Sequence, residues 1–375
     1  MYIQLIIFIL SYIGLIIFKE NGNPIQKERA RKNYIILVMA LLAMQSGFRN
    51  LAVGADTLAY YQQFNNTISY SFSELWQRFQ TTEDKDPAYD LLSKAFSLIF
   101  PSFRAFLIAI TIFLFTAIGR LYYKYTRSNL DVFISIPLYQ CLYYSFLSIT
   151  GLRQTIATIL LFFAVPYAIN RKSIKFFFLV LLAATQHKSS LIFIPFYFFG
   201  YLKSSTLIFI GAAILFIPMF SAGQYISPLL MGTTFEQYAA YFENVGMEQP
   251  YVFTAYIVLI TVALFFKRKT LENINTQNKI FMSSLAVAFS LTPLMYISPA
   301  NMRIVQYFSI FDLFLIPYLC QEYSKKIGGK YLYYIIFFVL AAYVVLKHAD
   351  YGFFWEDMYR KTWRGVELIR AWDNV

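Results

Sequence analysis

The sequence predicts an all-α, polytopic membrane protein, a single integral membrane domain over residues 1–375. Three observations predict it. Of the 375 residues, 58% are hydrophobic and only 14% are charged, where a soluble domain carries about a quarter charged residues. So few charges could not clothe a water-facing surface. Apolar runs of near-spanning length recur along the whole chain. The basic residues, finally, collect in the short polar segments between alternate runs.

Ten runs read as crossings: 2–18, 34–48, 103–123, 132–149, 154–170, 205–222, 251–266, 280–297, 304–320 and 331–346. They lie near the roughly 17–20 residues that a spanning helix needs. The first, MYIQLIIFILSYIGLIIF, has no basic start and no small-residue cleavage site before Lys19. It reads as a retained span rather than a signal peptide. Block 174–202 holds two shorter apolar runs around Gln186-His187-Lys188-Ser189-Ser190, and reads as a broken or re-entrant pair. Parity supports this. The basic clusters in 19–33, 120–131, 171–175, 267–279 and 321–330 share one side only if 174–202 enters and returns. Twelve crossings result, with both termini outside and 19 basic residues inside against five acids. The net charge of +12 is therefore a topology signal, and a nucleic-acid partner is not expected. Cys141 and Cys320 both fall in apolar runs, which argues against a disulfide framework or a cysteine metal site.

Three outside segments are long: 49–102, 223–250 and 347–375. In the first, FSELWQRFQ and PAYDLLSKAFSLIF have helical patterning. In the second, TTFEQYAAYFEN suits an amphipathic surface helix. The tail FFWEDMYRKTWRGVELIRAW mixes aromatics with both charge signs, as interfacial helices do.

Ionisable groups at or inside the outer boundary are costly and often mark function. Arg49, Asp56, Arg153, His187, Lys188, Arg303 and Asp312 are such groups. Arg153 opens a helix after Thr150-Gly151, with Gln154 and Thr155 as further donors. A guanidinium beside a positive helix end suits a phosphate; the alternative is a snorkelling Arg. Arg303 stands at another outer helix start, just after Pro299. Two arginines could clamp a diphosphate bidentately. Asp312, nine residues on, would lie deeper on the opposite helix face and satisfy another helix. His187 sits at the helix break, where Ser189 and Ser190 could cap the second half. It is a proton-transfer candidate or a structural histidine. With only two His in the chain, a histidine zinc triad is excluded. Gly54-Ala55-Asp56-Thr57 suits a tight turn, with Asp56 or Thr57 capping a short helix LAYYQQF that sets Tyr60 and Tyr61 at the surface. Asp56 is either that cap or an acceptor-activating carboxylate, and Arg49 an anion or sugar contact.

These residues resemble the EpsG-like family of bacterial exopolysaccharide polymerases, within the Wzy-type O-antigen polymerase group. The shared pattern is Arg49, Gly54, Asp56, Thr57 and Tyr60, then Arg153-Gln154, then His187 to Ser190, then Asn301, Arg303, Tyr307 and Phe308. Order and spacing match across most of the chain. One departure is EDKDPAYDLL, where several acids stand in place of a single one. The resemblance implies a GT-C-like glycosyltransferase of the bacterial inner membrane, with its active site facing the periplasm. Its substrates would be oligosaccharides on undecaprenyl diphosphate. Its partners would include membrane lipid, a chain-length regulator and a flippase. The lipid diphosphate is already a good leaving group, so no cofactor or nucleotide sugar is expected. Arg153 and Arg303 would stabilise the departing charge. Asp56 or His187 would deprotonate the sugar hydroxyl. Arg49, Gln154, Lys188 and Tyr60 complete the expected binding set.

Three other readings compete. An O-antigen ligase would use the same chemistry on another acceptor. A flippase of lipid-linked sugars would place its charges near the midplane and often show repeated halves. Here the unusual charges gather at one face. A membrane acyltransferase finds support in His187 alone.

Overall fold

The computed structural model describes residues 3–81, 88–231, 250–327, 331–346, 351–362 and 365–370. Within them the chain forms α1 Ile3–Ile17, α2 Pro24–Gly47, α3 Thr57–Ser69, α4 Phe72–Thr81, α5 Ala88–Ser97, α6 Phe103–Tyr125, α7 Asn129–Leu142 and α8 Leu152–Ile169. It continues through α9 Ser173–Gln186, α10 Thr206–Phe216, α11 Ala222–Leu230, α12 Tyr251–Ile274, α13 Thr276–Leu291, α14 Met302–Ser309, α15 Asp312–Ile327 and α16 Tyr331–Leu346. A hairpin of β1 Met358–Thr362 and β2 Gly365–Ile369 closes the described chain. Every expected crossing coincides with helix. Four helices are long and apolar enough to cross a membrane: Phe103–Tyr125, Leu152–Ile169, Tyr251–Ile274 and Gln277–Tyr296. A fifth span is formed if Met302–Ser309 and Asp312–Tyr323, bent by 51°, count as one. The other expected crossings fall on helices that are shorter, broken or charged at one end, as α2 is at Lys27, Arg29, Arg31 and Lys32. This is an all-α membrane protein with one small β-hairpin.

Two compact units divide the chain. The first comprises Met1–Phe163, Leu182–Lys188 and Tyr323–Val375. In it α2 starts on an Asn23 capping box with Gln26 and a Pro at the first turn. Small residues let α2 and α6 approach: a Cβ on Gly47 would lie 2.8 Å from Thr111, and one on Gly119 3.0 Å from Met39. Phe133 of α7 stacks on Phe337 of α16 at 3.9 Å, and Phe8 of α1 meets the same ring edge-on. Helices α3 to α5 form a cap. Its core is Tyr60 and Phe64, four residues apart on one face of α3, packed on Tyr89, Phe103 and Phe106.

The tail corrects an expectation. Its interfacial helix is instead a two-stranded antiparallel hairpin with Tyr359 opposite Leu368 and Arg360 opposite Glu367. The reason is local. Val366 and Ile369 are β-branched, and the pairing sets opposite charges across the strands. The adjoining segment bridges to the first outside loop, Arg49 pairing with Phe353. Asn50 N–H donates to the Gly352 carbonyl and Phe354 N–H to that of Phe48, at 2.8 and 2.9 Å. The expected surface helix TTFEQYAAYFEN lies outside the described residues.

The second unit comprises Ala164–Leu181 and Ser189–Glu322. Residues Lys188–Tyr201 are a 3-10 helix, which runs back along α9. Phe176 and Tyr197 rings lie 5.3 Å apart, and Arg171 donates to the Gly200 carbonyl at 3.2 Å. The 3-10 segment thus folds back beside α9. At about 2.0 Å rise per residue, its 14-residue 3-10 leg reaches about 28 Å, close to the hydrocarbon thickness. Phe193, Phe196, Phe281 and Phe311 form the aromatic core beside it. Asp312 is fully buried and accepts a hydrogen bond from the Tyr256 hydroxyl of α12 at 2.5 Å. It satisfies another helix, as expected. The face-counting from Arg303 does not apply, because the helix breaks between Ser309 and Asp312.

Candidate functional site

The first outside loop is organised by Arg49. α2 ends at Gly47, and two residues later the Arg49 side chain turns inward, 1% exposed. Its guanidinium donates to the carbonyls of Ser46, Ser148 (3.3 Å) and Ile149 (3.2 Å), and its Nε to the Thr57 hydroxyl at 3.4 Å. Burial lowers its pKa to about 10, so it stays charged at neutral pH. Carbonyl dipoles answer that charge. The Ser148 and Ile149 carbonyls close a π-helix, Ser145–Ile149, whose Ser148 also takes the Ser46 hydroxyl on its carbonyl and meets the Tyr139 hydroxyl. Irregular helix of this kind recurs at functional sites. Gly151 follows with φ +75°, a left-handed turn, and α8 begins. Arg49 therefore fixes the approach to Arg153.

Gly54 seals the same contact. Its φ is +93°, and a Cβ there would lie 2.3 Å from Ile149 Cγ2. Thr57 donates its hydroxyl to the Val53 carbonyl at 2.7 Å. Asp56 precedes α3, half-buried, but its side chain does not cap the helix. The helix was legible and its cap was not, because the Asp56 backbone is itself near helical (φ −105°, ψ −6°), which turns the carboxylate away from the first N–H groups. One turn later Tyr60 lies beneath Arg153, whose guanidinium stands 5.7 Å from the ring centroid. Tyr60 in turn meets Tyr89 edge-on at 5.5 Å.

The structure thus brings together Arg49, Gly54, Thr57, Tyr60 and Arg153, separated by a hundred residues in sequence. Gln154 is buried beside them in the first turn of α8, 1% exposed. The Thr155 hydroxyl is engaged by the Leu147 carbonyl at 2.7 Å. His187 stands at the α9 break, 7% exposed, its N–H on the Ala183 carbonyl; Lys188 beside it is half-buried. Neighbouring Gln186 donates to the Ala88 carbonyl at the start of α5. In the second unit, Arg303 is the second residue of α14, half-buried, after the Pro299–Asn301 turn. Asn301 donates to the Leu294 carbonyl, and Tyr307 meets Ser189 at 3.3 Å. The serines do not cap as expected: Ser190 Oγ is buried without a partner. Of the acids in EDKDPAYDLL, Glu83, Asp84 and Asp86 lie outside the described residues. Asp90 is buried and accepts from Gln63 and Thr67.

Sequence reasoning missed Arg104, Tyr351 and Arg360. Arg104 donates to the Gly47 and Arg49 carbonyls and lies 4.8 Å from the Phe354 ring. Tyr351 donates to the Gln45 carbonyl, and Arg360 to that of Ala55 at 2.8 Å. No local signal links the tail to a loop three hundred residues earlier.

A model of the EpsG family matches residues 32–357. Comparison with curated proteins and with solved structures finds no match. The matched stretch takes in every residue from Arg49 to Arg303 described above, and on it the assignment rests: the chain belongs to the EpsG family, whose members are Wzy-like polysaccharide polymerases.

Proposed function

We propose that this polymerase moves a growing glycan from undecaprenyl diphosphate onto a new lipid-linked repeat unit at the periplasmic face of the inner membrane. In this reading the chain crosses twelve times in a GT-C-like arrangement, and no nucleotide sugar or cofactor takes part. The anomeric carbon–oxygen bond to the lipid diphosphate breaks as the acceptor hydroxyl attacks. Negative charge grows on the departing diphosphate, and Arg153 neutralises it. A guanidinium offers paired N–H groups to two phosphoryl oxygens, which Lys cannot match. Lys188 and Gln154 contribute as further donors, and Tyr60 as the ring that orients Arg153; in the second unit, Arg303 offers an anion contact at its own helix start. Asp56 or His187 accepts the hydroxyl proton. Arg49 acts as a positioning residue, since its donors are spent on carbonyls.

The single observation that carries this reading is the placement of Arg153: a half-buried guanidinium in the first turn of α8, on the Tyr60 ring, with its approach locked by Arg49. The test uses the purified full chain with lipid-diphosphate oligosaccharide alone. Polymer and free lipid diphosphate should appear together in step. Sugar translocation without polymer, or polymer only after nucleotide sugar is added, would reject the proposal.

A further inference from the structure

A groove of about 780 Å³ between α2 and α6 lies away from the loop just described. We propose that it holds one acyl chain of an anionic phospholipid, with the lipid phosphate on Lys32, Arg120 and Lys124. Two helical stripes form it. On α2 the lining positions run from Lys32 through Ile35, Met39 and Ala43, and on α6 from Lys124 through Gly119 back to Ile112. Each stripe keeps the three- and four-residue spacing of one helix face. From Lys32 to Ala43 the rise is about 16 Å, and one leaflet of hydrocarbon is about 15 Å deep. The groove therefore runs the depth of a single leaflet.

Its two ends differ in chemistry. The deep end is apolar and lined by small side chains, Ala40 and Ala43, with Ile36 and Ile112 as walls more than half exposed (56% and 53%). Lys32, Arg120 and Lys124 line the other end, where the Arg120 guanidinium also lies over the Phe163 ring at 5.0 Å. Arg120 and Lys124 are one turn apart on the same face, where like charges repel without a counter-ion. Arg31 is held by the Tyr123 and Thr126 carbonyls, at 2.8 Å each, which anchors this end of α6. Basic pockets between spanning helices select anionic head groups. A zwitterionic lipid fills the tail groove equally well but gives the cations no net charge.

Native mass spectrometry of the full chain in neutral detergent tests this. Phosphatidylglycerol, phosphatidylcholine and undecaprenyl phosphate are added separately at equal concentration. Phosphatidylglycerol should be retained at least about tenfold better than phosphatidylcholine. A surface lysine is worth about fivefold in attraction to anionic lipid, so Lys32→Gln with Lys124→Gln should lower that retention about twenty-fivefold. Ala43→Trp, which blocks the deep end without touching charge, should lower it too. Melting in the same neutral detergent checks that each variant is folded. Equal retention of the two phospholipids, an unchanged charge variant, or stronger retention of undecaprenyl phosphate would overturn the proposal.

Discussion

Replacing Arg49 and Arg153, each by Met, should produce opposite failures. Arg49 is 1% exposed and donates to three carbonyls and one hydroxyl. In Arg49→Met the Ser148 carbonyl keeps the Ser46 hydroxyl as a donor. The Ser46 and Ile149 carbonyls lose the guanidinium. A buried polar group stripped of its partner costs about 1–3 kcal/mol, so the loss is about 2–6 kcal/mol, large against typical protein stability. Arg153 is half-buried, so its guanidinium meets solvent as well as the Tyr60 ring, at 5.7 Å from the centroid, a cation–π contact worth about 0.5–2 kcal/mol. Its removal should cost little stability but about a hundredfold or more in rate, as for a lost transition-state donor. The assay pairs thermal melting in detergent with gel analysis of glycan ladders. Arg49→Met should melt several degrees lower, with polymer lost in proportion to folded protein. Arg153→Met should melt near wild type and make no long chains. If Arg49→Met melts like wild type, or Arg153→Met unfolds, the division between positioning and chemistry is wrong.

Gly54→Ala should be harmful despite its single methyl, since it combines φ +93° with a 2.3 Å approach to Ile149; about 2–4 kcal/mol is expected, read by melting. Arg360→Ala removes an exposed hydrogen bond to the Ala55 carbonyl and the charge opposite Glu367, so the stability loss read by melting should be no more than about 2 kcal/mol and ladders should stay at wild-type length. Asp312→Asn preserves an acceptor for Tyr256 and should fold, whereas Asp312→Leu should destabilise by about 1–3 kcal/mol in a denaturation series. His187→Ala and Arg303→Ala should each insert into membranes normally yet leave cells with lipid core bearing one repeat unit; normal ladders from both would remove them from the proposed site.

Much of this architecture is written in local pattern. Apolar runs and basic loops located the helices because burial in lipid leaves so few alternatives. The break at His187 was legible from the two short apolar runs that flank Gln186 to Ser190. What could not be read is the shape of the irregular backbone. Nothing in SFLSI announces a π-helix, yet its carbonyls give Arg49 its partners. Arg49 looked like a ligand contact because an arginine at a membrane boundary usually needs an anion; here folded carbonyls serve instead. The tail misled for a related reason. Aromatics mixed with charges suit an interfacial helix or a hairpin alike, and the choice was made by pairing with a partner strand and by docking near Phe48 and Asn50.

The central claim is that the Arg153 guanidinium holds a diphosphate. Binding of undecaprenyl diphosphate to the purified chain, compared with Arg153→Gln at matched salt, tests it most directly. The wild-type chain should bind at least about tenfold tighter, with a steeper loss of affinity as salt rises. Equal affinity and equal salt dependence would contradict it.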